Sequence, residues 1–364
     1  MKRRKYKKIY TLLGIALIML SIYNAYLIFS IGSDARENLE QIKEELKPSD
    51  ITLYSIKVNY CQDCMDVGNV VNSVKSKNVN ILEEKEFEYG SDKARELVTK
   101  YGIKNLPAVI VQGDFTKLRL TGFELRENAL VYEVNRPPFV DALNGNIKGL
   151  VDVKIINEAS CEECTDLTKL VEQLNDSGVK IKSMEVLDRN SKEGKKLVKT
   201  YSLTVFPAII FSNDFNEYTN DLVTSWDQYG DRDDKGNFIS REITLPYFDS
   251  LQNRTVGLVD VTYLVSSECK DCYDPEKYHP VILGNLGVKI GKSSKLYLES
   301  EQGTLLAKKY NITKFPTIVL SGDVDMYDGL KEVWPSVGTV ESDGVYVFRK
   351  VDFTGEPYLD NEKQ

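Results

Sequence analysis

The chain has 364 residues, of which 42% are hydrophobic and 28% charged, a balance typical of two or three globular domains. Its formal net charge is −8, although six basic residues crowd into the first eight positions, so the remaining chain is strongly acidic. An acidic body argues against nucleic acid as a partner.

The amino terminus consists of a basic tail over residues 1–8, predicted to be cytoplasmic, and an uncharged segment over residues 9–33. At a rise of about 1.5 Å per residue, a helix over 9–33 crosses the ~30 Å hydrocarbon layer, whereas a secretory signal has an apolar run of only about 7–15 residues. We therefore favour a transmembrane signal anchor over a signal cleaved between Ser30 and Ala35. In either case the rest of the chain should lie outside the cell membrane, where disulfides form.

Residues 34–50 form the predicted connection between this segment and the rest of the chain. Leu39, Ile42 and Leu46 follow helical spacing, and Pro48 should end the helix. A helical linker that is solvated on all sides is the simpler interpretation, and a dimerising stalk is the alternative.

Three copies of one pattern occupy the remaining chain. Each copy contains two cysteines separated by two residues, followed by a segment of the type Tyr-x-Ile/Leu-x-x-apolar-Pro. The prolines lie 46, 46 and 47 residues after the first cysteine of each pair, and the chain has no other cysteines. A period near 100 residues is too long for a solenoid repeat, so each copy is predicted to be a small domain. The predicted domains are 51–147, 148–255 and 256–364.

The first copy shows the expected order of elements, βαβαβββ. The predicted strands are 51–58, 79–87, 108–112, 117–120 and 129–134, and the predicted helices are 65–74 and 92–101. The segment from Pro137 to Leu143 has room for only a turn or two of helix, so no long final helix is expected. In the second copy, residues 218–240 are polar and are predicted to be a solvated loop. A calcium loop is the alternative, although the spacing does not match an EF-hand.

This combination of motifs resembles the thioredoxin-like family over residues 51–364. The resemblance implies an α/β fold of three tandem thioredoxin-like domains, each a central mixed sheet flanked by helices, behind one N-terminal transmembrane helix. It also implies that each cysteine pair opens a helix and faces a cis proline, whose edge holds substrate peptide. The implied exposed nucleophiles are Cys61, Cys161 and Cys269, the resolving cysteines are Cys64, Cys164 and Cys272, and the implied cis prolines are Pro107, Pro207 and Pro316.

One departure from the thioredoxin pattern concerns the buried aspartate expected six residues before the first cysteine. Those positions carry Ser55, Ile155 and Tyr263, so the usual proton-relay carboxylate is missing. The predicted substitute is Glu84 on the second strand of the first copy, or Glu185 on the second strand of the second copy.

A second departure concerns the residues between the cysteines, which are Gln-Asp, Glu-Glu and Lys-Asp. A carboxylate roughly 6 Å away disfavours a thiolate by about 1.4 kcal/mol, which nearly cancels the contribution of a helix dipole. We therefore expect thiol pKa values near that of free cysteine. In the third copy, Asp274 and Pro275 should cap the helix and leave its cysteine pair in the preceding loop.

The sequence thus predicts a membrane-anchored, extracytoplasmic thiol–disulfide oxidoreductase that acts on protein thiols and disulfides, with a membrane redox partner as a further candidate. The alternative is a non-catalytic interaction scaffold whose cysteine pairs are structural disulfides. Metal binding is a third alternative, but structural zinc requires four ligands and the single histidine, His279, is expected to be exposed. No cofactor is expected, and Trp226 and Trp334 are predicted to be packing residues.

Overall fold

The computed structural model describes residues 2–361, apart from the side chains of residues 2–13, 32–35, 37, 38, 40, 41 and 45. Predictions that depend on the side chains of the basic tail, residues 1–8, lie outside the described residues. The chain divides into two compact units, Met1–Lys148 and Gly149–Gln364. The second unit contains both 148–255 and 256–364, and the division into three domains stays a prediction.

The amino-terminal segment is one helix, α1 (Lys2–Leu46), that runs through both the predicted anchor and most of the predicted linker. Helix formation continues because no proline precedes Pro48. Within α1, Gly14–Ile31 has a mean hydropathy of 1.9 and none of it is buried. By length and composition, this part of α1 is able to cross a membrane.

The first unit continues with a five-stranded mixed sheet, two helices and a small second sheet. Its helices are α2 (Gly68–Lys75) and α3 (Asp92–Tyr101). Its strands are β1 (Ser49–Lys57), β2 (Val79–Glu88), β3 (Asn105–Leu106), β4 (Ala108–Gly113), β5 (Glu124–Arg126), β6 (Ala129–Glu133), β7 (Phe139–Asp141) and β8 (Ile147–Lys148). The large sheet has the order β2-β1-β4-β6-β5, in which only β1 and β2 are parallel.

Strand β4 shows that both faces of this sheet are covered. Its first four residues are fully buried, and alternate side chains enter two different cores. Ala108 and Ile110 belong to one cluster, while Val109 and Val111 belong to the other. The buried run therefore marks a central strand between two layers.

Two predictions for the first unit are wrong. Residues 117–120 are not a strand; Leu118 packs into the core from a loop, which satisfies the apolar alternation without strand pairing. The segment after Pro138 is not a helical turn but strand β7, which pairs with β3. Between β6 and residue 148 the described chain has no helix, which agrees with the expected lack of a long final helix.

The first part of the second unit repeats this plan. Its helices are α4 (Leu167–Asp176), α5 (Lys192–Tyr201) and the short α6 (Asp221–Thr224). Its strands are β9 (Val151–Asn157), β10 (Ile181–Asp188), β11 (Val205–Phe206), β12 (Ala208–Phe211), β13 (Gly230–Arg232), β14 (Phe238–Ser240), β15 (Tyr247–Asp249) and β16 (Arg254–Val256). The sheets are β10-β9-β12-β14-β13 and β11-β15-β16.

Residues 218–240 are not the solvated loop that their composition predicts. Trp226 is 2% exposed and packs edge-on against Phe211 and Phe238, which confirms its predicted packing role. The acidic residues of this segment face outward, where Asp227 pairs with Arg232 at 2.9 Å. The aromatic residues of this segment thus enter the core while its polar residues face solvent. Composition alone does not predict this arrangement.

The last part of the second unit follows the same order with one difference at its end. Its helices are α7 (Pro275–Asn285), α8 (Glu301–Lys309) and α9 (Asp328–Val337). Its strands are β17 (Leu258–Val265), β18 (Lys289–Tyr297), β19 (Lys314–Phe315), β20 (Thr317–Gly322), β21 (Gly338–Val340), β22 (Tyr346–Phe348) and β23 (Leu359–Asp360). The main sheet is β18-β17-β20-β22-β21, whereas the small sheet consists of β19 and β23 within the described part of the chain. The described residues form a mixed α/β structure with several sheets.

Candidate functional site

Each of the three cysteine pairs forms a disulfide in the loop between a central strand and the following helix. The bonds are Cys61–Cys64, Cys161–Cys164 and Cys269–Cys272, with Cα–Cα distances of 5.4, 5.4 and 5.5 Å. The pairs follow strands β1, β9 and β17 and precede helices α2, α4 and α7. The predicted partners are therefore brought together in all three copies.

The predicted prolines lie opposite these disulfides. The bonds Leu106–Pro107, Phe206–Pro207 and Phe315–Pro316 are cis, as the resemblance implies. In the second unit, Cys164 Sγ lies 3.6 Å from the Phe206 carbonyl oxygen, and Cys272 Sγ lies 3.6 Å from that of Phe315. In the first unit, Cys61, Cys64 and Pro107 line one cavity of about 260 Å³. In each copy, the segment around the proline faces its own pair of sulfurs.

The expectation that each pair opens a helix is wrong, because every pair lies in a loop that ends before its helix begins. The cause is an aspartate two residues after the second cysteine, whose carboxylate accepts a backbone N–H of the first turn. These aspartates are Asp66, Asp166 and Asp274, and the donors are Gly68, Thr168 and Glu276, at 2.9, 3.0 and 3.1 Å. Because a helix dipole acts mainly within its first turn, it contributes less at the sulfurs than expected. The repeated C-x-x-C-x-Asp pattern is the sequence signal for these late helix starts. The prediction above applies it only to the third copy.

The first cysteines differ in exposure. Cys61 is 7% exposed, whereas Cys161 and Cys269 are half-buried. Cys61 packs in the same cluster as Ala142, and the neighbouring Tyr60 hydroxyl donates to the Gly145 carbonyl at 2.7 Å. The turn between β7 and β8 therefore closes around the first pair, and Cys61 is not the exposed cysteine that the resemblance implies.

The carboxylates predicted to replace the missing aspartate are engaged elsewhere. Glu84 pairs with Lys75 at 2.6 Å, and Glu185 pairs with Lys154 at 2.8 Å, all with partly exposed side chains. These ion pairs give neither glutamate a role at the sulfurs.

A carboxylate that sequence reasoning missed is Glu158, three residues before Cys161 and 9% exposed. It accepts a hydrogen bond from the Ser160 hydroxyl at 2.7 Å and pairs with Arg189. Burial opposes its ionisation, but the Ser160 hydroxyl and Arg189 outweigh burial and lower the pKa of Glu158 below its usual range. Glu158 is therefore a carboxylate anion at neutral pH and not a proton carrier.

Arg189 connects this carboxylate to the proline segment. Its guanidinium lies 5.5 Å from the ring centroid of Phe206 and 4.8 Å from that of Phe248. The position of Glu158 is taken by Val58 in the first copy and Ser266 in the third. The second disulfide thus has a charged neighbour that the other copies lack at this position.

The backbone edge before each cis proline is already paired within the chain. The pairs that include the residue before the proline are Leu106–Val140, Phe206–Phe248 and Phe315–Leu359. By the resemblance, this edge would hold substrate peptide. A client polypeptide must therefore approach the sulfurs from the solvent side or displace the pairing strand.

The prediction that His279 is exposed is wrong, since it is 3% exposed. Its Nε2 lies 3.0 Å from the Tyr273 hydroxyl, which donates to the Pro316 carbonyl at 3.0 Å. Burial lowers the pKa of His279 to about 4, so the ring is neutral at physiological pH. Trp334, 3% exposed, is a packing residue as predicted. Within the described residues, no three His, Cys, Asp or Glu side chains gather into a metal site, and residues 218–240 offer none.

No protein-family model and no curated protein sequence matches the chain. Among solved structures, it is similar to ERdj5 at 10% identity, over 75% of this chain and 38% of that chain, with a TM-score of 0.16. It is also similar to human ERp44 at 10% identity, over 88% of this chain and 98% of that chain, with a TM-score of 0.14. A third similar structure is the alkylhydroperoxide reductase AhpF of Enterococcus faecalis, at 16% identity, over 49% and 88% of the two chains, with a TM-score of 0.16.

The chain spans well under half the length of ERdj5. The three C-x-x-C pairs of this chain, each opposite a cis proline, support a thiol–disulfide function in general.

Proposed function

We propose that this chain is a membrane-anchored, extracytoplasmic oxidoreductase that exchanges disulfides with protein substrates through its C-x-x-C dithiols. The observation that carries the proposal is the position of the second pair against its proline segment. Cys164 Sγ lies 3.6 Å from the Phe206 carbonyl oxygen, directly before the cis proline Pro207. A disulfide that only stabilises a loop does not require this arrangement.

The reaction is a thiol–disulfide exchange in two steps. The thiolate of Cys161 attacks one sulfur of a client disulfide, an S–S bond forms between protein and client, and the other client sulfur leaves as a thiolate. Cys164 then loses its proton to solvent, attacks Cys161 Sγ and releases the second client thiolate. The client is reduced by two electrons and the pair is oxidised to its disulfide; the reverse sequence oxidises a client dithiol.

The surroundings of the sulfurs assign different roles to the two cysteines. When the pair is reduced, the Cys164 thiol can donate to the Phe206 carbonyl, which stabilises its protonated form. The first cysteine therefore ionises more easily and is the attacking group. The same contact between Cys272 and Phe315 supports the same roles in the third copy.

Membrane anchoring is supported by α1, whose apolar part Gly14–Ile31 has no buried residue. The basic residues concentrated in positions 1–8 favour a cytoplasmic amino terminus. With that orientation, all three pairs lie outside the cytoplasm, where their disulfides persist.

For the first copy, a structural disulfide is a second candidate function, which one observation favours. Cys61 is 7% exposed under the turn between β7 and β8. A buried cysteine is less accessible to the sulfur of a folded client than a half-buried one. In this alternative, the first copy contributes an interaction surface and the exchange takes place in the second unit.

The proposal is tested by replacing the resolving cysteine, as C164S, C272S and C64S, in the full chain. Loss of the resolving thiol leaves the mixed disulfide with a client unresolved. We expect covalent client adducts, released by dithiothreitol, for C164S and C272S. C64S should give few or none if the first pair is structural.

The matched control is the double variant C161S/C164S, which has no attacking thiol in the second copy and should lose the adducts formed by C164S. If none of the three single variants forms adducts, the exchange function is wrong and the scaffold interpretation replaces it. The location has a separate test. A membrane-impermeant maleimide should label the reduced pairs in intact cells, and labelling only after lysis would contradict an extracytoplasmic site.

A further inference from the structure

Strand β16 carries a side chain that touches the predicted nucleophile of the second copy. The Thr255 hydroxyl donates to Cys161 Sγ at 3.4 Å. We propose that Thr255 stabilises the Cys161 thiolate of the reduced pair, so that the β15–β16 hairpin at the end of the second copy adds a residue to its redox site. This inference rests on the proposed function, in which Cys161 is the attacking thiol.

The strand register places Thr255 at this point. Phe206, the residue before the cis proline, pairs with Phe248 on β15, and Phe248 pairs with Thr255 on β16. The Phe206 carbonyl also contacts Cys164 Sγ. Phe206 therefore fixes the position of both the hairpin and the disulfide. The hydroxyl is thus positioned by paired backbone and not by a free loop.

An aspartate from the last part of the chain holds β16 on both sides of Thr255. Asp323 Oδ2 pairs with Arg254 at 2.7 Å and accepts the Gly257 backbone N–H at 2.8 Å. Burial opposes ionisation of Asp323, but Arg254 and Gly257 outweigh it and lower its pKa below the usual range. The Arg254 guanidinium also donates to the Thr255 carbonyl at 3.1 Å. A hydroxyl fixed in this way needs little reorganisation when the thiolate forms.

The chemistry of the contact favours the charged form of the sulfur. A hydroxyl donates a stronger hydrogen bond to a thiolate than to a thiol, so it lowers the thiol pKa. The charged groups near Cys161 in sequence are Glu162 and Glu163 in the exposed loop and Glu158 with its partner Arg189, and those beside Thr255 are Arg254 and its partner Asp323. Carboxylates disfavour the thiolate and guanidinium groups favour it, and the Thr255 hydroxyl adds a neutral donor in direct contact with the sulfur.

The first copy provides a natural comparison. Leu106 pairs with Val140, which pairs with Ile147 on β8, so Ile147 occupies the register position of Thr255. Ile147 has no hydrogen to donate and packs against the cluster that contains Cys61. In the third copy, β23 has no further strand beside it within the described residues. Of these positions, only that of Thr255 supplies a hydroxyl.

The test measures the pKa of each first cysteine in the reduced full-length protein. Iodoacetamide alkylation is followed across pH and resolved by peptide mass spectrometry, so Cys269 is an internal control in the same sample. T255V should raise the pKa of Cys161 by about one unit, from the loss of one hydrogen bond to a charged group, and T255S should restore it. In the reciprocal variant, I147T should lower the pKa of Cys61.

The outcomes separate this inference from the proposed function. A pKa of Cys161 that is equal in wild type and T255V, with Cys269 unchanged, overturns the role of Thr255 even if the protein exchanges disulfides. A raised pKa in T255V that T255S reverses supports the role even if no client adduct forms. If circular dichroism shows that T255V does not fold, T255A is measured in its place, and a Cys161 pKa equal to that of wild type overturns the inference.

Discussion

The first two copies share one backbone plan and differ in what surrounds the sulfur. Both have the same spacing from cysteine to cis proline and a hairpin that pairs with the strand before that proline. In the first copy, Cys61 is buried and the hairpin presents Ile147. In the second, Cys161 is half-buried and the hairpin presents Thr255. The motif therefore brings the sulfurs together, while residues far away in sequence determine what surrounds them.

The largest contrast should appear in the rate of reduction. Dithiothreitol should reduce Cys161–Cys164 faster than Cys61–Cys64 in the native protein by roughly tenfold or more, because attack requires access to a sulfur. Rapid alkylation and peptide mass spectrometry at successive times give both rates in one sample. In 6 M guanidinium chloride, where neither pair is covered, the two rates should converge. Equal native rates would show that burial of Cys61 does not protect its disulfide.

A smaller difference concerns stability and its dependence on pH. E158Q should lower the free energy of unfolding of the second unit by about 2 kcal/mol at pH 7, because Arg189 loses its charged partner in a largely buried place. Since the pKa of Glu158 is lowered by folding, its stabilisation is present above the ordinary carboxyl pKa and is lost as pH falls through the lower folded value.

Urea denaturation of wild type and E158Q at pH 7 and at pH 3 measures this effect. The difference between the two proteins should shrink at pH 3. V58Q at the corresponding position of the first copy is the matched control, and it should show no such pH dependence because Val58 has no charge. A difference that stays constant between the two pH values would rule out an ionised Glu158.

The weakest effect concerns the aspartates that begin the helices after the cysteines. D166A should cost about 1 kcal/mol, since Asp166 is the N-cap of α4 and accepts the Thr168 N–H. D66A should cost less, because Asp66 lies one position before the N-cap of α2, Val67, and not at the cap itself. Thermal unfolding compares the two variants. A larger loss for D66A would contradict this interpretation of the helix starts.

Local patterns allowed much of the fold to be predicted. Helix 92–101 agrees with α3 because Ser91 caps it and Gly102 ends it in a left-handed conformation, both visible as sequence signals. The pairing of each cysteine with its neighbour and the cis prolines also followed from motifs. These features depend on residues close together in the chain.

The features that the sequence did not predict depend on contacts between distant residues. Thr255 reaches Cys161 across 94 positions, through two strand pairings that no local pattern specifies. Trp226 lies among acidic residues, so its burial depends on which side of the segment faces the sheet. The composition of the segment after Pro138 suits a turn as well as a strand. It forms strand β7 because the edge of β3 is available for pairing.

Whether the pairs exchange disulfides at all is decided by a titration of the full-length protein in glutathione redox buffers, with thiols trapped and each pair quantified by mass spectrometry. We expect the Cys161–Cys164 pair to equilibrate above roughly −300 mV, within reach of exchange, while the Cys61–Cys64 pair, in which Cys61 is buried, stays oxidised at lower values. If all three pairs stay oxidised far below that value, the disulfides are structural and the proposed exchange function is contradicted.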